Sequence, residues 1–133
     1  MIWSDVPDPS SATRAHGVLR AEGGEHSGDG GKVETSGNAL YTQNIQVSTR
    51  AENGSYGIWL LDPTTITIGS TDNNTTVSNN TYQTGGGGDS GDINTQTLSN
   101  SLSTNNVSIA ADNITIADNY SDTHATTLTL NAT

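Results

Sequence analysis

Residues 57–68 read GIWLLDPTTITI, and two later stretches, NVSIAADNITI at 106–116 and ATTLTLNAT at 125–133, repeat its rhythm. In each, aliphatic residues recur at i and i+2, the spacing that puts both side chains on one face of a strand. The doublets are Ile58/Leu60, Ile66/Ile68, Val107/Ile109, Ile114/Ile116 and Leu128/Leu130, with Ile45/Val47 ahead of them. Clusters of Asn, Asp, Gly and Ser lie between, which is turn chemistry, so the sequence predicts many short strands joined by turns. One segment departs from the pattern. TQTLSNSLS at 95–103 spaces Leu98 and Leu102 four apart and predicts a short helix.

Composition narrows the architecture. The chain has 133 residues, enough for one domain. Val, Ile and Leu number 6, 9 and 8, which is 23 of 133 or about 17%, with no Phe and a formal net charge of −10. So thin a supply of large aliphatics argues against a compact α/β enzyme and leaves a thin-cored β structure or a disordered chain. Thr (21) and Ser (15) outnumber every good helix former, which argues against a helical bundle. A β-solenoid suits such a composition, because each coil buries its few inward aliphatics against the coils above and below, and stacked Asn and Thr ladders add hydrogen bonds. The doublets beginning at 45 and 66, and at 107 and 128, are 21 residues apart, and 66 to 107 is 41. This spacing predicts all-β coils of about 20 residues over residues 17–133, with residues 69–92 a protruding Gly/Asn-rich loop. Residues 1–16, broken by Pro7 and Pro9, are expected to be a ragged N-terminal lead-in.

Charge excludes some partners. The four cations are Arg14, Arg20, Lys32 and Arg50, so residues 51–133 hold eight acids and no base. Such a surface repels phosphate backbones and anionic lipid, and neither nucleic-acid binding nor membrane docking is expected. No stretch approaches the roughly 20 apolar residues of a membrane helix. With no cysteine, a disulfide framework and a thiolate metal site are both excluded.

Two blocks stand out together, GGEHSGDGGKVETSGNAL at 23–40 and GIWLLDPTTITI at 57–68. They resemble the filamentous haemagglutinin-like exoproteins of bacterial two-partner secretion, in which a Gly-rich stretch ending in VETSG precedes WLLDP. NVSIAADNITI and ATTLTLNAT also resemble that family's strands, so the likeness spans about residues 17–132. It implies a right-handed parallel β-helix without catalysis or cofactor. It further implies export through an outer-membrane transporter, location outside the cell or on its surface, and attachment to a receptor or glycan on host or neighbouring cells. The family's export-directing N-terminal domain, with its signal peptide and Asn-Pro-Asn motif, has no counterpart here, so the chain is expected to be a segment of a longer exoprotein. A stalk of a contact-dependent toxin delivery exoprotein would share these coils. A β-helical polysaccharide-active enzyme is the alternative from another class.

Residue by residue, the motif positions read as structural. Gly30, Gly31, Val33, Glu34, Thr35 and Gly37 are expected to form a strand and a corner. In the second block Ile58 and Leu60 face one way, and Trp59 and Leu61 the other. Trp59 is therefore expected on the outside, under a covering segment or open to a ligand. Asp62 and Pro63 are expected to end that strand, since Pro donates no hydrogen bond and Asp bonds forward into a turn.

Five sets of residues are candidates for chemistry or modification. Gly88-Asp89-Ser90-Gly91 matches the nucleophile loop of chymotrypsin-like proteases, but the chain is too short for two barrels and places no His suitably. GGGGDSGDI resembles a calcium-binding nonapeptide and makes Asp89 and Asp92 candidate calcium ligands. Ser90 stands where an Asp belongs and there is one copy, so a flexible acidic loop is favoured. Asp112, Asp118 and Asp122 are the candidates for polysaccharide chemistry, yet no cation follows Arg50 and each sits beside turn formers. His16, His26 and His124 show no metal-ligand spacing, so no metal or cofactor is expected. Asn-x-Ser/Thr occurs eight times, about twice what 14 Asn and 36 Ser plus Thr would give by chance. Some adhesins of the resembled family carry sugars on such residues, and Asn73, Asn74 and Asn79, in the expected loop, are the candidate glycosylation sites.

Overall fold

The computed structural model of the chain describes residues 1–69, 76–78, 81–83 and 90–133. Short strands follow one another as the alternation predicts. They are β1 (Ile2–Trp3), β2 (Ala12–Arg14), β3 (Gly17–Arg20), β4 (Lys32–Gly37), β5 (Ala39–Tyr41), β6 (Ile45–Ser48) and β7 (Ile58–Pro63). Then come β8 (Thr65–Gly69), β9 (Thr76–Ser78), β10 (Thr81–Gln83) and β11 (Ser90–Asn94), and a helix α1 (Thr95–Leu102). The last strands are β12 (Asn106–Ala111), β13 (Asn113–Ile116) and β14 (Leu128–Ala132). Among the described residues the fold is all-β with one helix. Residues 1–16 contribute two strands, with Pro7 and Pro9 in the segment between them.

Two five-stranded parallel sheets dominate, in the orders β1-β4-β7-β12-β14 and β13-β8-β11-β5-β2. A third, two-stranded sheet pairs β3 with β6 in parallel, and β9 pairs with β10 antiparallel. The chain passes from the first large sheet to the second through single-residue bends at Asn38, Thr64 and Asp112. These bends bond to one another: Thr64 N–H donates to the Asn38 carbonyl (3.3 Å), and Asp112 N–H to that of Thr64 (2.9 Å). The Asn38 amide also donates to Thr64 Oγ1 and to the Val6 carbonyl, both at 3.0 Å. Polar side chains thus close a corner that backbone geometry alone would leave unsatisfied.

Register places the core. Val33, Trp59, Val107 and Leu128 are in line across the first sheet, as are Thr35, Leu61, Ile109 and Leu130. The first three of each row are buried. Ile66, Ile68 and Ile93 come from the second sheet, Ile45 and Val47 from β6, and Leu98 and Leu102 from α1, all in one hydrophobic cluster. Each such side chain contributes about 1.5–3 kcal/mol of transfer free energy. Trp59 is inside, not outside. It is 0% exposed, and the outward residues of β7 are Ile58 and Leu60. The reason is that Thr35, facing inward on β4, accepts the indole N–H at 3.1 Å, so the ring is buried without an unpaired donor. The strand does end at Asp62 and Pro63 as expected: Pro63 is the last residue of β7, opposite Gly37, and the bend follows at Thr64.

The 20-residue spacing is corrected in the same way. Paired positions in the first sheet are separated by 26 residues from Val33 to Trp59, 48 from Trp59 to Val107 and 21 from Val107 to Leu128. The doublets at 45, 66 and 107 lie in three different sheets, so their spacing measured no single repeat. The 48-residue interval holds β11 and α1. β11 enters the second sheet between β5 and β8, while β4 and β7 remain direct neighbours in the first. Residues 69–92 are therefore not loop throughout, since β9, β10 and the start of β11 fall among them.

The helix forms where expected. Asn94 caps it with extended backbone, its side chain accepting from Gln96 N–H at 2.7 Å. Leu98, Ser101 and Leu102 form its buried side, and the helix packs against β6. Asn105, just beyond it, is 0% exposed. Its Oδ1 accepts from Thr49 N–H at 2.7 Å, and its Nδ2 donates to the carbonyls of Val47 (2.8 Å) and Ser101 (2.7 Å). One amide ties the end of β6 to the end of α1. Thr104 also bonds to all three of these backbone groups, so Asn105→Ala would weaken their pairing without leaving any of them bare, and is expected to lower unfolding free energy by about 1–3 kcal/mol, measured by urea denaturation. A change below about 0.5 kcal/mol would contradict this role.

Candidate functional site

Three polar surfaces are built by these elements. The first follows from the bends. Asp62 near the end of β7 and Asp112 at the β12–β13 bend line a groove of about 380 Å³ with Val6, Pro7 and Thr133. Burial pushes the Asp62 carboxyl up, and the neighbouring charges of Glu34 and Asp112 push the same way against the weaker pull of Lys32. Glu34 behaves oppositely. Its bonds to Lys32 (3.0 Å) and to the Ser36 hydroxyl (3.2 Å) hold its carboxyl below the usual range.

The second surface is a groove of about 450 Å³ between β3, β6 and the end of α1, lined by Arg20, Glu22, Gln46, Arg50, Asn100 and Thr104 among others. Glu22 accepts from the Ser48 hydroxyl at 2.5 Å and meets Arg20 at 3.4 Å. The Ser48 bond, with the charges of Arg20 and Arg50, lowers its pKa. Arg50 also meets Glu52 at 3.5 Å. Arg20 is paired with Glu22 inside the groove and Arg50 with Glu52 beside it, so both guanidinium groups of the groove have carboxylate partners.

The third is centred on Asp122. Its Oδ2 accepts from the hydroxyls of Ser99 (2.8 Å) and Tyr120 (3.0 Å), and its Oδ1 from His124 N–H (2.8 Å) with His124 Nδ1 at 2.7 Å. Partial burial opposes ionisation, but these bonds outweigh it and hold the carboxyl at about 2. The Tyr120 hydroxyl is pushed up by burial and by the same carboxylate. Ser99 bonds to the carboxylate and not to His124, an arrangement that pins the 117–127 segment to α1 and does not activate a nucleophile.

The residues singled out in the sequence fall out as follows. Val33, Thr35, Trp59 and Leu61 face the core, and Glu34 and Leu60 the other side of the sheet. Gly37 packs against Ser4 and Thr13, where a Cβ would approach their hydroxyl oxygens within 2.8 Å. Gly30 lies directly against the Thr49 carbonyl, leaving no room for a side chain, while its N–H donates to the Ser55 carbonyl at 2.9 Å. Gly31 N–H donates to the Ala21 carbonyl at 2.7 Å. Asp62 and Asp112 share one groove, Asp118 lies beside Gly69, and Asp122 is taken up by α1 and its own loop. Asn73, Asn74, Asn79 and Asp89 lie outside the described residues, and of Asp92 only the backbone in β11 is described. Among the described residues no three His, Asp or Glu side chains come together as a metal site. No helix described is long and apolar enough to cross a membrane.

The role of Asn105 and the cluster around Asp122 were not foreseen. Both depend on contacts between segments more than 20 residues apart, and their only local signals are polar residues flanking the predicted helix. No family model matches the chain, and no curated protein or solved structure matches it.

The two carboxyls shifted in opposite directions give opposite pH behaviour. The folded-state value of Asp62 lies above its unfolded value, so its ionisation subtracts stability as pH rises through that folded value. Asp62→Asn is expected to raise Tm at pH 7 by about 3 °C, with the gain vanishing near pH 3. For Asp122 the folded value lies below the unfolded one. Its contribution is full above the unfolded value and is lost as pH falls toward about 2. Asp122→Asn should lower Tm at pH 7 and flatten the acid limb, as read by circular dichroism melts from about pH 2 to 7.

Proposed function

We propose that this chain is a non-catalytic segment of a secreted bacterial filamentous haemagglutinin-like adhesin. In this reading its parallel sheets are successive coils of a right-handed β-helix, extending a fibre that meets a receptor or glycan on a host or neighbouring cell. One observation carries the reading. The two sequence blocks that bear the resemblance, VETSG and WLLDP, lie side by side as β4 and β7, with Val33 against Trp59, Glu34 against Leu60, Thr35 against Leu61, Ser36 against Asp62 and Gly37 against Pro63. A motif conserving contact between neighbouring coils would have this form, since each block supplies what the other must pack on.

The polar surfaces fit a scaffold. Asp122 is engaged in tying a loop to a helix, and the paired charges around Glu22 stitch β3 to β6. Export through an outer-membrane transporter belongs to the full exoprotein in this reading, and the segment presents its sides to the partner cell.

Beads coated with the folded chain should adhere to epithelial monolayers or to sibling bacterial cells at least about threefold more than beads coated with Asn105→Ala protein unfolded in mild urea. Equal adhesion by folded and unfolded protein on every surface would overturn the attachment role. Cleavage of a polysaccharide, lost in Asp62→Asn or Asp112→Asn protein, would replace it with the enzyme reading.

A further inference from the structure

Asn53 and Gly54 are the one Asn-Gly pair of the chain, in AENGSYG at 51–57, and both are exposed. They belong to the connection from β6 to β7, which lies over the earlier connection from β3 to β4, residues 21–31. The contacts between the two are polar and close. Gly23 N–H donates to the Arg50 carbonyl at 2.8 Å, Asn53 Nδ2 to the Glu25 carbonyl at 3.0 Å, Ser55 N–H to Asp29 Oδ1 at 2.8 Å and Gly30 N–H to the Ser55 carbonyl at 2.9 Å. Gly54 is pressed against the earlier connection, where a Cβ would come within 2.5 Å of the Gly28 carbonyl oxygen and 2.8 Å of Asp29 Oδ1. Packing therefore demands glycine after Asn53, whatever glycine does to the chemistry of that asparagine.

What glycine does is leave its nitrogen open. The side-chain Cγ of an asparagine lies within reach of the next residue's backbone nitrogen, and ring closure between them is held back when that nitrogen is hydrogen-bonded or shielded by a side chain. At Asn38, Asn44, Asn105 and Asn106 the next nitrogen is held: Ala39 N–H donates to Ser11, Ile45 N–H to Thr42, Asn106 N–H to Gly57 and Val107 N–H to Thr127, all at backbone carbonyls. Gly54 N–H has no acceptor among the described residues, and Gly54 has no side chain to shield it.

We propose that Asn53 is a site of spontaneous modification in the folded chain, converting through a succinimide to aspartate and isoaspartate, and that the conversion loosens the two stacked connections. The Gly54 nitrogen gives its proton to a solvent base and attacks Asn53 Cγ; the new N–Cγ bond forms, the Cγ–Nδ2 bond breaks and ammonia leaves with a proton from water. Water then opens the ring at either carbonyl, giving aspartate or, with the chain rerouted through Cβ and Cγ, isoaspartate. The balance is water in and ammonia out, with no oxidant or reductant. Either product loses the donor that meets the Glu25 carbonyl. Each also adds a negative charge beside Asp29, in a pair of segments that already holds Glu22, Glu25 and Glu52. Isoaspartate further lengthens the backbone where Gly54 has no room to shift. These contacts alone carry the proposal, which holds whether or not the chain is an adhesin.

The folded chain incubated in mildly alkaline buffer should gain about 1 Da in the chymotryptic peptide 42–56, cut after Tyr41 and Tyr56, with the gain at Asn53 and isoaspartate among the products. Asn44, in the same peptide, should stay unchanged and serves as the internal reference. Asn53→Gln keeps an amide at this position on a longer side chain that closes the ring less readily, and should show no gain over the same period. Asn53→Asp carries the product charge from the start, and in hydrogen exchange its Gly30 and Ser55 N–H groups should lose protection relative to Asn53→Gln protein. A folded chain in which Asn53 gains no more mass than Asn44, or gains it only when unfolded in urea, overturns the modification site. Equal protection at Gly30 and Ser55 in the two variants overturns the loosening.

Discussion

The indole of Trp59 is the largest fully buried side chain among the described residues, and the structure around it shows how a chain with 23 large aliphatics and no Phe obtains a core. Parallel pairing holds Val33 on one side of it and Val107 on the other, in the same row of the same sheet. A register slipped by one residue would turn a strand's share of the row outward, because side chains alternate faces. Register, more than the size of any one residue, is what keeps water out. The indole N–H is met by Thr35, a polar residue in the core row, which allows the next row to be built partly from Thr without leaving a donor unpaired.

Polar groups fill the role that aliphatics lack elsewhere too. Thr13, Thr35, Thr42, Thr49, Ser101 and Asn105 are all buried. Thr13 donates to the Ser36 carbonyl at 2.8 Å, and Asn105 satisfies three backbone groups at once. Such side chains contribute little net free energy when bonded and penalise heavily when not, so they fix the path of the chain more than they stabilise it. The bends at Asn38, Thr64 and Asp112 work the same way, each bonded to the one before. The interruption by β11 and α1 shows the tolerance of this arrangement: the second sheet accepts an extra strand while the first keeps its ladder, and α1 packs its leucines against β6.

Much of the fold was legible in the residues. Period-two doublets gave the strands, Leu98 and Leu102 gave the helix, and Asn-rich turns separated them, because each of these signals is local. What could not be read was which doublet stacks on which. Ile45/Val47, Ile66/Ile68 and Val107/Ile109 look alike in sequence yet occupy three sheets, so an apparent spacing of 21 matched only the last step, from Val107 to Leu128. Trp59 was misplaced for a related reason. A strand apolar on both faces does not declare which face is inward, and the deciding residue, Thr35, is a polar one 24 positions away. The surfaces were less legible still. Asp122 carries the same turn signature as Asp112 and Asp118, and only tertiary contact with Ser99 and Tyr120 distinguishes it.

The parallel register of β4, β7 and β12 is the claim on which these interpretations depend, and backbone nuclear Overhauser effects measure it directly. The account predicts cross-strand contacts linking the Val33, Trp59 and Val107 positions in the staggered pattern of parallel strands, together with slow exchange of the Trp59 indole proton. Contacts in the paired pattern of antiparallel strands, or a Trp59 indole that exchanges at the rate of free solvent-exposed Trp, would contradict it.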